Sequence, residues 1–231
     1  MDDILERFEI HDFFGILLPG MTFLILLYFM DFPLLRDEIA LLSQTFEIIL
    51  FVLASYVSGT LIQEIASWVD DKLINLRKNA RGRFFFDNSK VFQGAELTKV
   101  KELVKDLLGR RGSNDTEVTP DGCSAVYFMC KAHLENIGKM DDADKYDAVY
   151  EMSRNFIVCN FFVLICLLFM MWLTSGCEGS CGVIMIYLII STPIFGHRAV
   201  RYSKMRVRKI LRQYMDLRNT EKAKSNGGLQ G

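Results

Sequence analysis

The sequence predicts an all-α fold: a polytopic membrane protein with four transmembrane helices and a small helical cytoplasmic domain inserted between the second and third. Three observations support this prediction. Hydrophobic residues make up 51% of the 231 residues, and the mean hydropathy of +0.19 is high for a soluble domain. The chain also contains four apolar runs, and almost all of its basic residues lie in two of the segments outside those runs.

The first apolar run lies at residues 12–30 and reads DFFGILLPGMTFLILLYFM. Its 18 residues from Phe13 to Met30 carry no charge, and as an α-helix they would cover about 27 Å of a hydrocarbon core about 30 Å thick. Pro19 removes a backbone donor and Gly20 has no side chain to pack, so we expect a kink at this pair. Because neighbouring helices must bond the freed carbonyl in lipid, we expect this helix to pack inside a bundle.

The other three apolar runs lie at residues 46–66, 156–173 and 183–195. The last run is short for a full crossing and would have to include its flanking residues, with Pro193 breaking its final turn. In the third run, Asn160 is the most polar inner residue, and it could bond across helices or line a pore.

Small residues recur at a spacing of four in the second apolar run. This spacing lets two membrane helices approach closely, either within one chain or between the subunits of a homo-oligomer. The residues concerned are Ala54, Ser55, Ser58 and Gly59.

Basic residues indicate the orientation, because Lys and Arg near apolar spans are retained on the cytoplasmic side. Residues 67–155 contain 15 basic residues and residues 197–231 contain 10, whereas the loop at 31–45 contains only Arg36 and the turn at 174–181 contains none. We therefore predict that both termini and the long middle segment are cytoplasmic, with the spans in the inner (plasma) membrane.

This topology divides the chain into four parts. They are an N-terminal segment with the first two spans (1–66), a cytoplasmic helical domain (67–155), the last two spans (156–196) and a basic cytoplasmic tail (197–231). The helical pattern of the second span continues to about Lys78, and residues 143–153 lead into the third span, so both are expected to project from the membrane as stalks. Amphipathic patterns that end at Gly109 and Gly138 predict two further helices.

The tail has a net charge of +8, from 10 basic and two acidic residues, and its last ten residues, KAKSNGGLQG, are typical of disorder. Such a charge beside a span favours contact with anionic membrane lipid, at about 1 kcal/mol per basic residue near the surface. Orientation of the chain alone would explain it equally well. The lipid hypothesis rests on Arg206, Arg208, Lys209 and Arg212.

The cysteines suggest one covalent bond and no metal site. Cys177 and Cys181 lie in the short outer turn, where an oxidising compartment would allow a disulfide between them. Cys123 and Cys130 would lie about 10 Å apart along one helix, which is too far for two ligands of one zinc ion.

The sequence favours neither an enzyme nor a nucleic-acid-binding protein. It has no phosphate-binding loop, paired-glycine nucleotide motif or nucleophile elbow. The 15 basic residues of the middle segment are balanced by 15 acidic ones, so no nucleic-acid surface is indicated. We expect no catalytic residue and no cofactor.

The segment EIHDFFGILLPGMTFL, together with KYDAVYEMSRNF before the third run, resembles a group of small bacterial membrane proteins with a D-x-F-G-x-L-L-P-G first helix. Some proteins of this layout accompany antiphage defence loci as membrane effectors or sensors. The resemblance therefore implies a role in antiviral defence.

These patterns favour a non-enzymatic, homo-oligomeric sensor or effector. Its cytoplasmic domain would receive a signal or a protein partner and pass the change to the membrane bundle, altering membrane permeability. The alternative is a passive anchor or scaffold that recruits a cytoplasmic partner, and a membrane-embedded lipid-modifying enzyme is the third hypothesis.

Overall fold

The computed structural model of the chain describes residues 13–30, 44–84, 91–109, 119–174 and 179–227. All regular secondary structure in these ranges is helical, and no strand occurs in them. Three of the described helices are long and apolar enough to cross a membrane, namely Thr45–Lys72, Ala143–Leu173 and Cys181–Glu221. The predicted all-α class is confirmed, and the three apolar helices are compatible with a membrane protein.

We number the helices of the described residues α1 to α7 in chain order. α1 begins with a π-helical turn, Phe13–Leu17, and continues as an α-helix over Leu18–Phe29. α2 spans Gln44–Val69 and ends in a second π-helical turn, Asp70–Ile74. The others are α3 (Leu76–Arg83), α4 (Gly94–Gly109), α5 (Pro120–Asn136), α6 (Asp141–Thr174) and α7 (Gly179–Gly227).

The chain forms two compact units. One, which we call the span unit, comprises Met1–Leu73 and Ala148–Val200. The other, which we call the head unit, comprises Ile74–Asp147 and Arg201–Gly231. By these bounds, α6 and α7 each supply residues to both units.

The start of α1 departs from α-helical geometry because of Pro19. A proline has no N–H to donate to the carbonyl four residues earlier, here that of Gly15, and its ring crowds that carbonyl. The helix is widened into a π-helical turn at this point. With five π-helical and twelve α-helical residues, α1 is shorter than the three apolar helices above. The run at 183–195, predicted to be short and to be broken at Pro193, lies instead within the long helix α7, and Pro193 is inside that helix.

The prediction of one unbroken helix from the second span to about Lys78 is wrong at Asn75. After the π-helical turn Asp70–Ile74, Asn75 adopts the left-handed backbone conformation with φ 55° and ψ 30°. This conformation ends a helix, and Asn tolerates it better than most residues because its short polar side chain can bond locally. α3 then begins at Leu76 as a separate helix.

The core of the span unit is built from α1, α2, α6 and α7. Its buried apolar side chains include Leu27, Ile62, Ala66, Val163, Leu167 and Leu188. Large apolar side chains also cover the outside of these helices, such as Leu61, Phe161 and Ile189, each at least 60% exposed. An apolar surface around an apolar core is what a helix bundle in lipid requires.

The core of the head unit is built from α3, α4, α5, the first turn of α6 and the later part of α7. Val207, Ile210 and Leu211 of α7 are buried in it beside Val100, Val126 and Leu134. The segment predicted as a basic tail therefore supplies core residues to this unit. α7 continues to Gly227, so the prediction of disorder is wrong for residues 222–227, where helical hydrogen bonding overrides the polar composition.

Candidate functional site

The carbonyl that Pro19 leaves without its usual donor is bonded by a side chain of another helix. Asn155 Nδ2, on α6, donates to the Gly15 carbonyl oxygen at 2.6 Å, and Asn155 is fully buried. One turn further along α6, Cys159 Sγ lies 3.6 Å from the Pro19 carbonyl oxygen. The irregular start of α1 thus has its polar backbone satisfied inside the bundle, as lipid would require.

Asn155 belongs to a row of buried polar side chains in the span unit. Arg154 Nε donates a long hydrogen bond of 3.4 Å to Asn155 Oδ1, and its guanidinium carbon lies 5.9 Å from the centre of the Tyr150 ring. The Tyr150 hydroxyl in turn donates to the carboxylate of Asp70. We call Asp70, Tyr150, Arg154 and Asn155 the polar cluster; none of the four is more than 5% exposed.

Two normally charged side chains of this cluster, Asp70 and Arg154, are buried, and burying a charge is costly unless its partners are well placed. Asp70 also begins the second π-helical turn, while Gly15 lies in the first. Single π-helical turns within α-helices are frequent at functional sites. In an apolar helix bundle, buried ionisable groups are a further indicator of function.

Sequence reasoning missed this cluster because it placed the start of the third span at Phe156, after Arg154. Glu151 and Arg154 stand one turn apart directly before the apolar run, and both are buried. A basic and an acidic residue at that spacing beside a span are a signal that could have been noticed. The pairing with Asp70, 80 residues away from Tyr150 in the chain, could not have been read from the sequence.

Two of the small residues of α2, Ser55 and Gly59, lie against α1 within one chain. A Cβ atom on Gly20 would overlap the Ser55 carbonyl oxygen and lie 2.7 Å from the backbone nitrogen of Gly59. A Cβ atom on Gly59 would overlap the carbonyl oxygen of Ile16. Ser55 is buried, whereas Ala54 and Ser58 are half-buried. A role for these residues between subunits stays a prediction.

Asn160 connects α6 to α7. Its Nδ2 donates to Ser191 Oγ at 2.8 Å and to Thr192 Oγ1 at 3.1 Å. The pore-lining alternative for Asn160 is not tested by this geometry. Cys181 lies half-buried on α7, and Cys177 lies outside the described residues, so the disulfide between them stays a prediction.

Three of the four basic residues assigned to the lipid hypothesis form ion pairs inside the head unit. Arg208 Nη2 lies 2.5 Å from Glu96 Oε2, and Arg212 pairs with the other oxygen of the same carboxylate. Bonds from Arg212 and then Arg208 lower the pKa of Glu96 below its usual value, against the opposing effect of burial. Arg206 pairs with Asp147. Lys209 is half-buried, and lipid contact by all four residues stays a prediction.

A second set of charges surrounds Asp147 in the head unit. Its two carboxylate oxygens lie 2.8 Å from Arg77 Nη2 and 2.8 Å from Arg206 Nη2. Arg81 Nε donates to the backbone carbonyl of Arg77 at 3.2 Å, and the Arg81 guanidinium lies 5.0 Å from the centre of the Phe128 ring. We call these residues the arginine cluster; its members are Arg77, Arg81, Asp147, Arg206 and the buried Tyr127.

Within the part of the chain that the structure describes, no three His, Cys, Asp or Glu side chains are grouped closely enough to hold a metal ion. Fold and sites together define an all-helical protein with apolar helices of membrane-spanning length and a buried polar cluster among them. Comparison of the chain with protein-family models, curated proteins and solved structures finds no match.

Proposed function

We propose that the protein is a non-enzymatic integral membrane sensor or effector. In this proposal, the head unit receives a signal or a protein partner, and the span unit responds by altering the permeability of the membrane. The observation that carries the proposal is the polar cluster, because its buried charges make the bundle less stable than apolar side chains at the same positions would. Buried polar groups with two alternative arrangements can act as a switch.

The proposed topology has four spans, with the head unit and both termini in the cytoplasm. The concentration of basic residues outside the apolar runs supports this orientation. α1 would be the shortest span, at about 26 Å from 1.5 Å per residue. A mismatch of a few ångströms can be accommodated by local thinning of the bilayer.

The proposed signal passes along α6. Its first residues belong to the head unit, and Tyr150, Arg154 and Asn155 follow on the next turns of the same helix. A ligand that binds one arrangement of the head unit more tightly would shift the equilibrium between arrangements of this helix. Displacement of Asn155 would remove the donor of the Gly15 carbonyl and allow α1 to bend.

The first prediction tests the switch with the smallest change available in the cluster. Tyr150→Phe removes only the hydroxyl that donates to Asp70, and Tyr28→Phe removes a hydroxyl from an exposed position on α1 as the matched control. Because the bond stabilises the resting arrangement, cells that carry Tyr150→Phe should lose membrane potential at a several-fold lower expression level. A voltage-sensitive dye measures the potential. Unchanged potential in cells with either variant or the native chain, at every expression level, would rule out the effector.

A passive anchor or scaffold is the second candidate. Phe128 on α5 and Ile137 directly after it favour this candidate, because they are 48% and 42% exposed in the head unit and could contact a partner protein. A scaffold would recruit its partner without any change in membrane potential, and Phe128→Ser with Ile137→Ser would abolish recruitment. Assembly as a homo-oligomer and a role in antiviral defence belong to the sensor proposal.

A further inference from the structure

The Tyr127 hydroxyl is a buried polar group whose capacity for hydrogen bonds is unused among the described residues. Tyr127 is 1% exposed, and its hydroxyl has no hydrogen-bond partner among the described residues. Burial raises the pKa of Tyr127 above its usual value, so the hydroxyl keeps its proton and can donate a hydrogen bond. An unbonded hydroxyl in a protein interior costs free energy, and few native proteins retain one without a reason.

Arg206 offers a second unmet donor in the same cluster. Its Nη2 pairs with Asp147, but its Nε is buried and has no hydrogen-bond partner among the described residues. Arg77 and Arg206 meet at Asp147 in one region of the head unit, and the charges of these residues and of Arg81 act on Tyr127.

Positive charge exceeds negative charge at this point. The three guanidinium groups carry three positive charges, whereas Asp147 and the exposed Asp144, one turn earlier on α6, carry two negative charges. The Arg77 side chain is 26% exposed, so the edge of the cluster at Arg77 contacts solvent, whereas the Tyr127 hydroxyl and Arg206 Nε are buried inside it. Donors without acceptors, together with surplus positive charge, are the features of an anion site.

We propose that the arginine cluster binds a phosphate group carried by a ligand of the head unit. The phosphate oxygens accept hydrogen bonds from Tyr127 and from Arg206 Nε, and Arg81 contributes charge from beside the site. Guanidinium groups suit phosphate because their planar donors match its oxygens in pairs. A free phosphorylated small molecule and a lipid headgroup share this chemistry, and the experiment below separates them.

This proposal rests on the proposed function only in naming the class of its signal. Binding is read from thermal unfolding of the purified full chain, without any measurement of membrane potential. Phosphate binding without a change in membrane potential would contradict the sensor proposal and support the phosphate site. A change in membrane potential without phosphate binding would support the sensor proposal and contradict the phosphate site.

The test compares Tyr127→Phe with Tyr214→Phe, which removes a hydroxyl from a half-buried position on α7. Tyr127→Phe should fold, because it deletes a hydroxyl that bonds no described residue. Inorganic phosphate is titrated against the chain in detergent at ionic strength held constant with sodium chloride. In a parallel arm, the chain is placed in nanodiscs of phosphatidylcholine with or without phosphatidic acid. A ligand that binds only the folded state raises the unfolding temperature.

Phosphate should raise the unfolding temperature of the native chain and of Tyr214→Phe, and Tyr127→Phe should weaken the affinity about tenfold, the loss of one hydrogen bond to a charged group. Arg81→Gln should weaken it as well. If only phosphatidic acid stabilises the native chain, and Tyr127→Phe removes that effect, the ligand is a lipid headgroup. Equal responses of Tyr127→Phe and the native chain, or no response to either probe, would overturn the proposal.

Discussion

Asn155 and Pro19 show how one side chain can take over the role of a missing backbone donor. Pro19 cannot donate to the Gly15 carbonyl, and the amide of Asn155 does so instead at 2.6 Å. The sequence predicted that some neighbouring helix would have to bond this carbonyl, from the behaviour of proline in lipid alone. It did not identify Asn155, because the register between α1 and α6 depends on how the whole bundle packs.

The next prediction tests that exchange of donors. Asn155→Ala should lower the free energy of unfolding by about 1 to 3 kcal/mol, the cost of leaving a buried carbonyl unbonded. Pro19→Ala restores a backbone N–H at position 19, so the double variant should lose less stability than Asn155→Ala does alone. Thermal unfolding of the four chains in detergent gives the coupling energy.

Asn160→Ala supplies the control for this cycle. The described hydrogen bonds of Asn160 go to Ser191 and Thr192, and none of them involves Pro19. Its effect should add to that of Pro19→Ala. Simple additivity of Asn155→Ala with Pro19→Ala would mean that the Asn155 amide does not replace the missing donor.

At the scale of elements, apolar runs predicted where the long helices lie, whereas tertiary contacts decide where they end. The run at 46–66 lies within α2, and the run at 156–173 within α6. The end of α2 was not predictable, because the π-helical turn at Asp70 and the left-handed Asn75 follow a helical pattern without Gly or Pro. The polar cluster depends on this ending, since Asp70 bonds Tyr150 there.

Gly59 provides the prediction for the contact between α1 and α2. Gly59→Leu would place its side chain into the backbone of Ile16, and overpacking of this kind costs about 1 to 3 kcal/mol or more. Insertion into the membrane should be unaffected, because Leu is compatible with lipid. Thermal unfolding measures the loss, and the amount of chain in the membrane fraction measures insertion.

Val57→Leu is the matched control for Gly59→Leu, since Val57 lies on the same helix and is 59% exposed. It should leave the unfolding temperature within a degree or so of the native chain, as conservative surface changes usually do. Equal effects of the two substitutions would mean that α1 and α2 do not meet through Gly59.

At the scale of the whole molecule, the number of spans is the main question for experiment. Reporter fusions after Asn114 and Lys224 should report the cytoplasm, and fusions after Asp37 and Glu178 should report the outside. The reason is that basic residues are retained on the inner side. An outside signal at Asn114 would contradict the whole topology, and a cytoplasmic signal at Asp37 together with a cytoplasmic Asn114 would remove α2 from the spans, because α2 is the apolar helix between these two positions.

The composition of the head unit has a consequence for the order of synthesis. Val207, Ile210 and Leu211 are part of its core. They leave the ribosome long after residues 74–147 of the same unit. Between them lie the apolar parts of α6 and α7, so the nascent chain must deliver two hydrophobic segments before the head unit can complete its core. A newly made head unit therefore stays unfinished until those segments have emerged.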